Sequence, residues 1–335
     1  KITISMGKFL FSKSYHGKYF FLILFLSIFQ IGSLKAQCGP SSFQAAGTPA
    51  APNSSWQTFP MGSGTYADFN VNAGNIYSFR YNTSSTVSNY WDMTLSTSSA
   101  VIAYDNSGSP TRNPWSGGIC PTASGRPSST DWYANFSGTF RINTNSWNTG
   151  SNTCLAHVPG QGSAVLEYKV CPAAPDPGPG INAWNVEAFV TTNISIPNLS
   201  ARYGYYVDNG LNFATTNYWP NNSNPSAAST WVGCSEIPND LFSLRARRQG
   251  FPCGRYQISD NSHDDEIQIF VNGVSIYSSA SPGGAGIVGD PNGYVLGDND
   301  VVEIRSTNLC VTDFADVSFI LLPVPAITPG TIGGV

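Results

Sequence analysis

Arg247-Arg248-Gln249-Gly250-Phe251-Pro252-Cys253-Gly254-Arg255-Tyr256, running on to His263-Asp264-Asp265-Glu266-Ile267-Gln268-Ile269-Phe270-Val271-Asn272-Gly273, decides the fold. Pro252-Cys253-Gly254 is turn chemistry, because proline presets φ and glycine reaches conformations closed to other residues. Ile267, Ile269 and Val271 recur with period two and share one strand face, with Gln268 and Phe270 on the other. Asn272-Gly273 is a two-residue hairpin step, and Val274–Tyr277 makes the returning strand. The stretch reads as β structure.

The same grammar repeats outward. Tyr66, Phe69 and Val71 lead through Asn72-Ala73-Gly74-Asn75 to Ile76, Tyr77 and Phe79. Met93 and Leu95 precede Val101 and Ile102; Phe136, Phe140 and Ile142 alternate with small polar residues, as do Val165, Leu166 and Tyr168. Val301-Val302-Glu303-Ile304 and Val317-Ser318-Phe319-Ile320-Leu321 read as late core strands. No convincing helical period runs beyond 12 residues. Short strands at roughly 8–12-residue spacing predict an all-β chain of two β-sandwich domains in tandem.

Residues 1–36 read as a signal peptide: lysines 8, 13 and 18 precede a 12-residue apolar run, Phe20 to Ile31, and Ala36 sits where a peptidase would cut. That run is short for a membrane span. Residues 1–36 hold five of the 16 basic residues and none of the 20 acidic ones, so the exported remainder carries a formal charge of −9. A chain this acidic repels phosphate backbones and anionic lipid, which argues against nucleic acid and against membrane insertion after signal removal. Charged residues are only 11%, but aromatics at 13% are enough to build cores, which argues against disorder.

Ala173-Ala174-Pro175-Asp176-Pro177-Gly178-Pro179-Gly180 reads as a stiff Pro/Gly linker between domains at 37–172 and 181–323. All seven cysteines lie in the exported part and read first as disulfides. Cys120–Cys154 would tie two loops of the first domain, and Cys38–Cys171 would clamp its ends. Cys234–Cys253 is the pair expected in the second domain, leaving Cys310 odd.

Gly284-Ala285-Gly286-Ile287-Val288-Gly289 spells a dinucleotide fingerprint, but Asp290-Pro291-Asn292-Gly293 breaks the helix that fingerprint needs, so it reads as a flexible loop. No nucleophile elbow, zinc-protease motif or P-loop is present, and the chain reads as non-enzymatic. A carboxylate pair for glycoside hydrolysis has no sequence spacing by which to judge it. Asp264 and Asp265 stand together at a strand start and are candidate ligands for calcium, with Asp298 and Asp300 as further oxygen donors. The competing reading is that these acids cap turns, and His263 reads as a turn residue. Trp219, in loop-like Trp219-Pro220-Asn221-Asn222, is the candidate sugar-stacking ring, set against ordinary core packing.

From Tyr203-Gly204-Tyr205-Tyr206 through Trp219, Gly233-Cys234 and Arg248–Tyr256 to His263-Asp264-Asp265 and Val271-Asn272-Gly273, residues 184–322 resemble a β-sandwich module of large Bacteroidetes surface adhesins, including gliding-type ones. Residues 324–335 resemble a linker and the start of a truncated immunoglobulin-like repeat of such proteins. More distantly, the Asp-Asp-then-strand pattern is similar to protective-antigen-type lectin sandwiches. That likeness implies calcium and sugar at Asp264 and Asp265, although Glu266 stands where that family often has glycine. The resemblance implies a secreted or cell-surface adhesin that binds surface glycans. The alternatives are structural spacer modules, or accessory domains of a secreted polysaccharide-degrading enzyme.

Overall fold

In the computed structural model, Asn272 and Gly273 both take left-handed φ angles, 49° and 77°. This mirror-image turn matches strand twist and sets Val271 opposite Val274. The structure describes residues 44–61, 64–82, 90–96, 101–106, 128–148, 153–154, 165–220, 223–239, 241–309 and 314–323. The signal segment, Cys38, Cys120, Cys310 and residues 324–335 therefore lie outside the described residues, as does the Cys120–Cys154 pairing.

The chain is all-β. The first ten strands are β1 (Gln44–Gly47), β2 (Gln57–Pro60), β3 (Thr65–Val71), β4 (Asn75–Asn82), β5 (Tyr90–Ser96), β6 (Val101–Asn106), β7 (Ser128–Tyr133), β8 (Gly138–Asn148), β9 (Thr153–Cys154) and β10 (Val165–Pro172). One sheet runs β1-β3-β8-β5-β6, with β9 on β8; the other runs β2-β10-β4-β7. Alternation places Ala67, Phe69 and Val71 of β3 inward, against Phe79, Trp132 and Tyr168 of the second sheet. Phe69 meets Tyr168 edge-on at 4.9 Å and Trp132 stacks on Phe140 at 4.7 Å. Such ring pairs add about 0.5–1.5 kcal/mol each beyond area burial.

The later strands are β11 (Gly180–Ile181), β12 (Trp184–Phe189), β13 (Arg202–Asp208), β14 (Phe213–Ala214), β15 (Val232–Gly233), β16 (Phe242–Gln249), β17 (Gly254–His263), β18 (Glu266–Val271), β19 (Val274–Ser279), β20 (Gly286–Val288), β21 (Tyr294–Leu296), β22 (Val302–Asn308) and β23 (Ala315–Leu321). They form a sheet ordered β15-β13-β12-β16-β22-β18-β19 and another ordered β14-β23-β17-β20. Ile267, Ile269 and Val271 are buried between these sheets, while Gln268 and Phe270 face outward. Trp184 packs against Phe213, Phe251 and Phe319 at 5.5–6.2 Å. Gly286–Val288 is a short strand on β17, so the glycine-rich run is ordered pairing and not a flexible loop.

Residues 42–335 cluster as one unit. Ile76 of β4 is fully buried in the core of the later sheets, and Tyr133, Cys171 and Ala173 pack on that same core. The Pro/Gly segment 173–180 is bonded down and does not act as a free spacer. Ala173 N–H donates to Gly74 O, Ala174 N–H to Arg202 O, and Asn185 Nδ2 to Gly178 O.

Candidate functional site

The junction between the two sandwiches is crossed by a disulfide and by polar contacts. Cys171, at the end of β10, is bonded to Cys234, which follows β15, 63 residues on. This corrects both expected pairings, Cys38–Cys171 and Cys234–Cys253. Cys171 and Cys234 are brought together by packing across the junction, which sequence spacing does not report. Cys253 is instead an exposed free thiol in the turn before β17.

Three further contacts cross the same junction. Lys169 Nζ donates to Ser235 O at 2.6 Å and Glu236 O at 3.2 Å, and lies over the Trp56 ring at 4.7 Å. Trp56 Nε1 donates to Glu236 Oε2. Tyr203 of β13 donates its hydroxyl to Asp131 of β7 at 2.7 Å. Burial pushes the Asp131 carboxyl above its ordinary range. Burial, with Asp131 beside it, pushes the Tyr203 phenol well up.

On the outer face of the larger of the two later sheets, Glu187 of β12 is fully buried between three arginines. Arg202 Nε reaches it at 2.6 Å, Arg245 Nη2 at 2.9 Å and Arg247 Nη2 at 2.7 Å. Cross-strand pairing creates the cluster, because Glu187 lies opposite Arg245, while Arg202 pairs with Phe189 and Arg247 with Asn185, two residues to either side. Asp176 closes it from above, accepting from Arg247 and from Gly178 N–H. Burial alone would raise the Asp176 carboxyl; Gly178 N–H and Arg247 outweigh that and hold it below the usual range.

Beside this cluster opens a cleft of about 420 Å³, walled by Gly74 and Tyr133 from the first sandwich, Ala173–Asp176 from the connecting segment, and Leu199, Ser200 and Arg202 from the second. Asp176 and Leu199 show the solvent 50% and 45% of themselves, whereas Arg202 shows 3%. The cleft's accessible charge is therefore a carboxylate. Leu199 sits on a turn fixed by Ser200 N–H donating to Asn198 Oδ1 at 3.0 Å. Sequence reasoning missed every residue of this cleft. The only written signal was an aspartate inside a proline-rich run.

The structure does not bring the expected cation ligands together. Asp264 and Asp265 form the corner where the chain leaves β17 in one sheet for β18 in the other. Asp265 takes a left-handed φ of 58°, its N–H donates to Asp264 Oδ1, and its carboxylate accepts from Leu309 N–H. Asp300 lies in the turn before β22, accepting from Gly297 N–H and Asn272 Nδ2, and Asp298 O accepts from Gly250 N–H. Because β22 runs antiparallel to β18, these turns sit at opposite ends of a six-residue strand, on the order of 20 Å apart. Among the described residues, no three His, Cys, Asp or Glu side chains gather as metal ligands. His263 is buried, with Nδ1 3.1 Å from Asp260 Oδ1 and Nε2 2.9 Å from Ser281 O.

Trp219 is also corrected as an exposed sugar platform. It is 1% exposed and packs edge-on to Phe242 at 6.3 Å. The single turn Thr215–Asn217 folds it inward, so a loop-like composition conceals a core residue.

No protein-family model matches this chain, and no curated protein does. Among solved structures it is similar to a PA14 sugar-binding domain from an RTX adhesin, with TM-score 0.31 and 14% identity over 42% of this chain and 89% of that one. It is also similar to the PA14 domain of the MpAFP antifreeze protein, with TM-score 0.30 and 13% identity over 45% and 93%. A third is the CBM22-1-CBM22-2 tandem from Paenibacillus barcinonensis Xyn10C, with TM-score 0.18 and 10% identity over 77% and 83%. At scores this low the likeness carries no functional weight.

Proposed function

We propose that this chain is a non-catalytic attachment region of an exported surface protein, and that what it attaches to is a glycan. The observation that carries this reading is the junction. A disulfide, a buried lysine on two carbonyls and a Tyr–Asp bond fuse two sandwiches into one body. A disulfide belongs to an oxidising compartment. A fused pair transmits force between modules, where a flexible linker would let each swing. His263, the one histidine among the described residues, is shut between Asp260 and a carbonyl with 1% exposure, which suits structure better than proton transfer.

The fused junction would also suit a ligand-free spacer. A glycan array separates the two: the attachment reading expects saturable retention of the chain on a subset of immobilised glycans, recovered chemically intact. A chain that stays in the flow-through across every glycan class is a spacer.

A further inference from the structure

We propose that the cleft at the sandwich junction is a binding site for a neutral pyranose unit of a glycan, seated on Tyr133 and Leu199 and hydrogen-bonded through Asp176. The proposal rests on the attachment reading above and adds its place and ligand class.

About 420 Å³ is at the small end of sites for small molecules, roughly 300–1,000 Å³. That is room for one or two sugar rings with a chain leaving through the open side. A Cβ built at Gly74 meets nothing within 4 Å, so one wall of the space is clear.

Tyr133 ends the edge strand β7, opposite Ile76, and its ring is half-buried against the second core. Its orientation is therefore set by packing before any ligand arrives. Leu199 and Pro175 add exposed apolar surface from the other side. A pyranose offers an apolar C–H face to such surface and a rim of hydroxyls to polar groups.

Asp176 decides which hydroxyl-bearing ligand fits. Its Oδ1 is used by Gly178 N–H and Arg247. Its Oδ2 stands 3.6 Å from Arg202 Nη2 and from Arg245 Nη2, too far for a hydrogen bond. That oxygen retains capacity to accept. Arg202 donates through Nε to Glu187 and through Nη1 to Ala174 O, and only 3% of its side chain is exposed. Asp176 is thus the accessible charged group of the cleft, beside the exposed Ser200 hydroxyl, which can donate or accept. The cleft suits a ligand that donates, and an anionic sugar would meet the Asp176 carboxylate.

The carboxylate is also held rigidly. Four groups from three segments fix it: Gly178 N–H in the connecting run, Arg202 on β13, and Arg245 and Arg247 on β16. A preformed acceptor beside a preformed ring lowers the ordering cost of binding.

The test uses the chain as it stands, with its disulfide intact. It is applied to immobilised neutral oligosaccharides of gluco-, galacto-, manno- and N-acetylglucosamine type, and to polygalacturonate and alginate. Tyr133→Ala and Leu199→Ser are compared with Val274→Ser, an exposed apolar position outside the cleft. The expected result is retention on at least one neutral series, weakened about tenfold by Tyr133→Ala and several-fold by Leu199→Ser, and unchanged by Val274→Ser. Should Tyr133→Ala fail to fold, Leu199→Ser and saturation transfer from Tyr133 ring protons to the sugar carry the test alone. Neutral-glycan binding that survives both variants overturns the cleft and leaves the attachment reading standing. Binding confined to the acidic polymers overturns the ligand class. Retention on no glycan overturns the proposal together with the attachment reading.

Discussion

The Tyr203 hydroxyl donates to Asp131 at 2.7 Å, and this bond crosses from one sandwich to the other. Tyr203→Phe removes the donor and leaves a buried carboxylate short of one partner. The expected cost is about 1–3 kcal/mol in urea unfolding, whereas Asp131→Asn keeps an acceptor for the phenol and costs less. An equal loss in both variants would show that the bond does not couple the sandwiches.

Two aspartates should give the junction opposite pH slopes. Asp131 is raised from 3.8, so its contribution is present below that value and lost as pH rises through its folded pKa. Asp176 is lowered from 3.8, so its contribution is present above that value and lost as pH falls through its folded pKa. Melting curves taken on both sides of pH 3.8 should therefore show a shallower decline toward higher pH for Asp131→Asn than for the parent. For Asp176→Asn the fall on the acid side should flatten. Profiles parallel to the parent's in both variants would show that neither group sets the pH dependence.

Non-reducing peptide mapping should recover Cys171 joined to Cys234, and Cys253 should take a thiol reagent without denaturant. Replacing both bridged cysteines with serine should cost about 4 kcal/mol, the loop-closure value for a 63-residue separation. Recovery of Cys234 joined to Cys253 would restore the pairing expected from the sequence and undo the fused junction.

That pairing shows where the sequence stops being informative. The hairpin at Asn272-Gly273 and the inward set Ile267, Ile269 and Val271 are legible because a two-residue turn and a period of two are local properties. The bridge is not legible, because its halves belong to different sandwiches and only packing brings them together. Trp219 misleads because proline and asparagine beside it describe the turn it leaves and not the core it enters. Asp176 escapes notice for the converse reason. A residue in a proline-rich run looks like spacer until three arginines from the strands beneath are found around it.

Those arginines should make Glu187 the least replaceable charge in the second sandwich. Glu187→Ala leaves Arg202, Arg245 and Arg247 facing one another with only the half-exposed Asp176 to offset them. Removing one side of a buried ion cluster costs about 3–5 kcal/mol. A midpoint shift worth less than about 1 kcal/mol would mean that water, not Glu187, balances these charges.

Asp264 and Asp300 belong to separate corners, so Asp264→Ala and Asp300→Ala should add in stability to within about 0.3–0.5 kcal/mol. Calcium should not make them interdependent. A coupling that appears only when calcium is added would show that one ion joins them after all.

Attachment through a glycan without chemistry stands or falls on one titration. The intact chain is titrated calorimetrically with the tightest-binding neutral oligosaccharide from the array, and the recovered sugar is analysed by mass. The expected result is a saturable isotherm for the parent chain, one weakened about tenfold in Tyr133→Ala, and an oligosaccharide returned with its length unchanged. A parent chain that gives no saturable isotherm, or a shortened oligosaccharide, would contradict it; an isotherm identical in Tyr133→Ala would move the site out of the cleft.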